Sequence, residues 1–374
     1  VMVVPLAARV VAAVIGGLLV VGVGASVVGS LIVPRLVTGR LTGWVNSLVH
    51  GAFRLGTSRI SDYVRRDRIL VTEAATVLLA QLTAWMGLAL VGYALLLWPF
   101  VSGGLTAAFT TAGSSLLTLG FAAPRGSAPV AIVCAAAATG LVIITLQIAY
   151  LPTLYSAFNR RETEVALLSA RAGVPSWGPE LLARTHYALG SGVSTLDTLP
   201  ELYTQWERWA SDVRESHTSY LPLVRFRSPR PYGSWVTALL AMLDSAALYL
   251  TLSPSSAPVV PARLFLRAGF LCFNQVAQAM GLQVPDEVDQ GAQITLSYDE
   301  FLHGVDKMRE VDFPLERDPS DAWGDFVGWR ANYERAAYAV AAAVDAVPAL
   351  WSGPRRGQVT PIAPIRPPLG RPPN

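Results

Sequence analysis

The chain has 374 residues, of which 52% are hydrophobic and only 15% charged, and its mean hydropathy is +0.41. A soluble domain averages about 25% charged residues, so the composition argues against a wholly water-soluble protein and against disorder over the full length. Two cysteines, Cys134 and Cys272, rule out a disulfide framework, and a net charge of +3 is too small and too unevenly spread for nucleic-acid binding.

In chain order, the first predicted element is the uncharged run Val10–Val33, preceded by Arg9. It is longer than the apolar stretch of a secretory signal and carries no small-residue cleavage site at its end, so it reads as a retained transmembrane helix. The stretch from Pro34 to Ile69 carries Arg35, Arg40, Arg54, Arg59, Arg65, Arg66 and Arg68 against Asp62 and Asp67. Leu41, Trp44, Val45, Leu48, Val49 and Phe53 within it recur at amphipathic spacing. That pattern suits a helix on the membrane face with its arginines toward acidic headgroups; an ordinary basic connector fits it as well. Between Glu73 and Arg160 the only charged residue is Arg125, and a span that long must fold back on itself, because one crossing takes about 20 residues.

That span divides into two crossings, Glu73 to Phe100 and Ala128 to Phe158, with Trp98, Tyr150 and Tyr155 at interfacial positions. The basic residues place the 34–69 linker and everything after Arg160 in the cytoplasm of a plasma-membrane protein, and the N-terminus outside. Between the crossings, Ser102-Gly103-Gly104 breaks the chain and Leu105–Leu117 reads as a helix too short to span. Short helices and irregular backbone at membrane depth persist only when buried in protein or lining a water-filled cavity.

The string Ser115-Leu116-Leu117-Thr118-Leu119-Gly120-Phe121 resembles the pore helix and filter of the tetrameric potassium-channel superfamily, whose signature is T-x-G-[YF]-G. The order of outer helix, pore helix, filter and inner helix is similar to its bacterial two-helix pore module, and the exit from Tyr150 to Glu162 is similar too. The resemblance covers residues 70–175. It implies a homotetramer in which the carbonyls of Thr118, Leu119, Gly120 and Phe121, with the Thr118 hydroxyl, replace the hydration shell of a permeating monovalent cation, potassium first. Ala122 and Ala123 stand where the family has its second glycine and its aspartate. A second placement, Phe109-Thr110-Thr111-Ala112-Gly113, resembles the filter of Trk/Ktr-type potassium transporters, which carry four pore repeats where this chain shows one.

In the third crossing, Gly140 and Pro152 are candidate hinge and bend residues of a gating helix, and Thr145 and Gln147 are the polar residues able to face a cavity. Beyond Glu162 the pattern is helical. Trp235–Leu252 and Arg263–Leu282 are apolar, but Asp244, Arg263 and Arg267 favour core helices of a soluble bundle. Tyr203, Trp206 and Trp209 read as packing. Asp289 to Glu300 has Ile294 where a calcium loop needs glycine, so an acidic face fits better. His50, His186, His217 and His303 lie at no metal-ligand spacing, no nucleophile motif appears, and neither an enzyme nor a cofactor is expected.

The sequence therefore predicts an all-α integral membrane protein with three transmembrane helices, a re-entrant pore helix and filter, and an α-helical cytoplasmic domain. Its parts are 1–34 (first helix), 35–70 (basic linker), 71–159 (pore module), 160–352 (cytoplasmic domain) and 353–374 (a disordered Pro/Arg-rich tail). The leading reading is a homotetrameric cation channel in the lipid bilayer, gated through its third span. The alternative is a non-conducting membrane sensor or scaffold that works through the cytoplasmic helices.

Overall fold

The computed structural model describes residues 6–33, 39–186, 195–284 and 293–354. Every regular element among them is helical: α1 (Leu6–Leu31), α2 (Arg40–Thr57), α3 (Tyr63–Leu70), α4 (Glu73–Leu97), α5 (Gly104–Leu116), α6 (Ser127–Ala172), α7 (Gly178–His186), α8 (Leu199–Ser219), α9 (Trp235–Leu252), α10 (Val259–Ala279), α11 (Tyr298–Arg309), α12 (Pro319–Arg330) and α13 (Glu334–Ala343). They form two compact units, one of residues 1–57 and 72–155, the other of 58–71 and 156–374. The basic stretch between the first two spans is thus divided, α2 going with the first unit and α3 with the second.

In the first unit, α1, α4 and α6 are long and apolar enough to cross a membrane. Lipid tails are as apolar as the side chains they meet, so such helices associate through close packing and buried polar contacts. Both are present. A Cβ on Gly16 would lie 2.5 Å from the Gly92 carbonyl oxygen, and one on Gly92 would lie 3.0 Å from that of Gly16, so α1 and α4 meet backbone to backbone. The Trp85 indole donates to Ser26 Oγ at 3.1 Å, Ser26 Oγ lies 3.3 Å from Thr42 Oγ1, and Ser30 lies 2.9 Å from the same hydroxyl, which ties α1, α2 and α4. His50 Nδ1 meets Glu73 Oε1 at 2.6 Å and Gln81 donates to Asn46 at 2.7 Å, holding α2 along the start of α4. Val11, Val14, Leu18 and Val21 of α1 stay exposed, as do Leu141 and Ile148 of α6. That is the surface a bilayer would cover.

The second unit is a bundle around α9. This helix is apolar and long enough to cross a membrane, yet it is buried nearly from end to end by its neighbours. A helix apolar all round belongs either in lipid or in a protein core, and here it is the core. Its one charge, Asp244, ion-pairs with Arg330 of α12 and accepts from the Tyr333 hydroxyl at 2.7 Å. Arg330 is wholly buried and also reaches Glu334 at 2.6 Å, the Tyr338 hydroxyl at 2.9 Å and the Trp351 carbonyl at 2.7 Å. Burial pushes the Asp244 carboxyl up to about 6, against the pull of Arg330 and the Tyr333 hydroxyl. Tyr203 stacks on Phe265 with centroids 5.9 Å apart, and Trp206 lies 4.5 Å from Trp209, so all three aromatics are core packing. The α3 helix is held by Arg227, which pairs with Asp67 and donates to the Tyr63 hydroxyl at 2.8 Å and to the carbonyls of Val344 and Asp345.

The α6 helix belongs to both units, up to Tyr155 in the first and from Ser156 in the second. The sequence expectation ended the third span at Phe158. The helix runs on unbroken to Ala172 with Pro152 inside it, because Arg160, Glu162 and Glu164 mark a change of solvent without stopping a helix.

Candidate functional site

The short α5 helix ends at Leu116, and the ten residues between it and α6 fold by turning their amides back onto the helix end. Leu117 N donates to the Gly113 carbonyl at 3.1 Å and Thr118 N to that of Ser115 at 2.9 Å. Leu119 N and Gly120 N both donate to the Ser114 carbonyl, at 2.7 and 3.2 Å. The Ser114 hydroxyl then accepts from Ala122 N at 3.0 Å. This one buried serine satisfies three amides of the segment. The signal for it, a serine pair just ahead of a T-x-G string, is visible in the sequence, but its role is not.

The consequence concerns the carbonyls. None of the hydrogen bonds among the described residues takes a carbonyl of Thr118, Leu119, Gly120 or Phe121, and all four residues are exposed on the single chain. The sign of φ alternates along the strip: −92° at Leu117, +54° at Thr118 and +72° at Gly120, with Leu119 and Phe121 between and after them on the negative side. The amides of Leu119, Gly120 and Ala122 are thus bound to Ser114 at the end of α5, while the carbonyls of the strip are left exposed. Glycine takes its left-handed place at Gly120 without penalty. Thr118 is β-branched, and a left-handed conformation there is a true outlier. Such strain costs about 1–3 kcal/mol and collects at functional sites.

The C-terminal end of α5 carries partial negative charge. It is fixed in place by α4 and α6, with Ala108, Ala112 and Leu116 buried. Gly140 of α6 is where that contact is closest: a Cβ there would lie 1.9 Å from the Leu116 carbonyl oxygen. The glycine singled out as a hinge therefore also serves as the seat for the end of α5. Tyr93 of α4 holds α6 at the same level, its hydroxyl 2.7 Å from Oγ1 of Thr139, the residue before Gly140. Along α6, Ala136, Gly140, Ile143, Gln147, Tyr150 and Leu154 form one buried stripe, whereas Thr145 lies on the exposed face. Pro152 is exposed too, four residues after Ile148, whose carbonyl it cannot bond. Phe109–Gly113, the second filter placement, lies inside α5. There the Thr110 and Thr111 hydroxyls bond back to the carbonyls of Thr106 and Ala107, and no carbonyl ladder forms.

In the second unit the continuation of α6 is clamped by Arg161, whose position the sequence did not mark out. Its guanidinium is fully buried, pairs with Glu162 at 2.7 Å and donates to the carbonyls of Leu223 at 2.8 Å and Phe226 at 2.6 Å. It also lies 3.0 Å from His217 Nε2. Burial and the Arg161 cation both hold the His217 imidazole well below its usual range, so it is neutral and accepts that bond. The Trp209 indole closes the clamp on the Arg161 carbonyl at 3.2 Å. Of the calcium-loop residues, Asp289 lies outside the described residues, and Glu300 completes a capping box with Ser297 at the start of α11. Among the described residues no three His, Cys, Asp or Glu side chains gather as a metal site would require. No family model, no curated protein and no solved structure matches this chain.

Proposed function

We propose that the chain is one protomer of a homotetrameric cation channel of potassium-channel type, passing monovalent cations through rings of carbonyls from Thr118 to Phe121. The observation that carries the reading is the strip itself, four successive exposed carbonyls that take no hydrogen bond among the described residues, at the negative end of a short helix. One chain supplies one side of a coordination shell; four copies about an axis supply the eight or so oxygens a dehydrated cation needs, and the module occurs once per chain. In this reading the first unit sits in the plasma membrane with its N-terminus outside, and the second unit is cytoplasmic and acts on the pore through α6.

The test is potassium and sodium flux into liposomes carrying the purified protein, beside Gly120→Asp. A Cβ at Gly120 meets nothing within 4 Å, so the variant folds apart from a local backbone cost of about 1–2 kcal/mol. Flux that Gly120→Asp abolishes is the expected result, with potassium ahead of sodium. Equal flux in both proteins, or none from either even after removal of the second unit, leaves the sensor or scaffold as the better account.

A further inference from the structure

The second unit contains a cavity of about 220 Å³ between the continuation of α6 and the loop that precedes α9. One wall is Val165 and Ala166 of α6 with Val174 beyond it; the other is Pro229, Arg230 and Tyr232. For scale, an engineered apolar cavity of about 150 Å³ takes up benzene. This one therefore admits a larger apolar body, and its lining is mostly apolar. Of the polar side chains on its wall, which include Ser169, Ser176 and Ser234, two stand out. Ser228, only 7% exposed, lines the cavity with an Oγ that has no hydrogen-bond partner. Arg230 is exposed at the rim and makes no ion pair among the described residues. The only carboxylate on the wall, Glu162, is already neutralised by Arg161 at 2.7 Å.

We propose that this cavity is a ligand site for a small organic acid with an apolar, aromatic-sized body, and that its occupancy regulates conduction. The body fills the space between Ala166 and Tyr232. The carboxylate meets Arg230 at the mouth, and a turn about χ1 lets the Ser228 hydroxyl donate to it. A desolvated apolar pocket gives such a ligand its affinity, and the cation at the rim selects the acid over the corresponding alcohol. Because one wall is α6 itself, a bound acid ties that helix to the 228–234 loop. The regulatory half rests on the channel reading given above; the binding half does not.

The experiment is titration calorimetry of the full-length protein in detergent with 3-phenylpropanoate, with 3-phenylpropan-1-ol as the uncharged probe. Saturable one-to-one binding of the acid is expected, at least tenfold tighter than the alcohol, weakened about tenfold by Arg230→Gln and lost in Ala166→Phe. Ala166 is exposed to the cavity, not packed in the core, so the phenyl group fills the site without disturbing the fold; an unchanged melting temperature checks this. Absence of saturable binding, or equal heats in wild type and Ala166→Phe, overturns the site. Binding that leaves potassium flux unchanged in reconstituted wild type overturns its regulatory role. Intact binding in a protein that conducts under no condition overturns the channel reading and leaves the ligand site standing.

Discussion

Gly140 separates two roles that a glycine in a membrane helix can have. A hinge needs conformational freedom, whereas a close contact needs only the absence of a side chain. With the Leu116 carbonyl 1.9 Å from where a Cβ would sit, Gly140→Ala forces α5 off α6, and the expected result is a lower melting temperature and loss of ordered protein, because overpacking of even ordinary sites costs about 1–3 kcal/mol. If the variant keeps wild-type stability and changes only the fraction of time the pore is open, the hinge is the main role. His217 makes the stability of the second unit depend on pH. Its ordinary value is 6.5, and burial with the Arg161 cation keeps the folded-state value well below that. As pH falls through 6.5 the unfolded chain takes up a proton that the folded chain refuses, so stability is lost on acidification, by up to about 1.4 kcal/mol per pH unit. Urea melts between pH 7.5 and 5.5 check this, and His217→Gln should flatten the part of the slope that this group supplies.

At the scale of elements, the sequence made the spans legible because uncharged runs of that length have few alternatives, and α1, α4 and α5 start and end within a few residues of where charge and glycine placed them. The exit of α6 was not legible: composition reports where the solvent changes, and a helix crosses that border without notice. Nor was the Asp244–Arg330 pair, whose members are 86 positions apart; the sequence marked Asp244 as out of place in an apolar helix but held no local sign of its partner. The same limit hid Ser114 and Arg161, whose roles depend on which carbonyl lies opposite. The α2 helix was legible as amphipathic, and the structure adds which face is exposed. Trp44, Leu48 and Leu55 are 73%, 70% and 79% exposed, while His50 and Asn46 turn to α4. An apolar stripe bordered by Arg40 and Arg54 belongs at a lipid interface, buried about 5–10 Å into the headgroup and acyl boundary. A spin label at Leu48→Cys, in a background lacking Cys134 and Cys272, should report that depth in vesicles containing acidic lipid. A label in free water would return α2 to the role of a plain connector.

The two units have one helix in common, α6, and it is the direct covalent route from the second unit toward the 118–121 strip. If the second unit acts along it, the helix must be stiff across the change of unit at Tyr155–Ser156. Ser156 and Asn159 are both exposed, so replacing each by glycine removes no core contact, and each substitution softens the helix at a cost of about 1 kcal/mol. The Arg161 clamp two residues further on stays intact, and so does the α5 seat at Gly140. On the channel reading, the expected outcome for Ser156→Gly/Asn159→Gly is a folded protein with a modestly lowered melting temperature and normal basal potassium flux, whose conduction no longer responds to removal or ligation of the second unit. Flux assays on the double variant, with and without residues after Ala172, make the comparison. If regulation survives the softened helix, the coupling does not run along α6. Its other routes along the chain are the α2–α3 and α3–α4 connections on either side of α3, which Arg227 holds through Asp67 and Tyr63; Arg227→Met would then be the substitution that silences it.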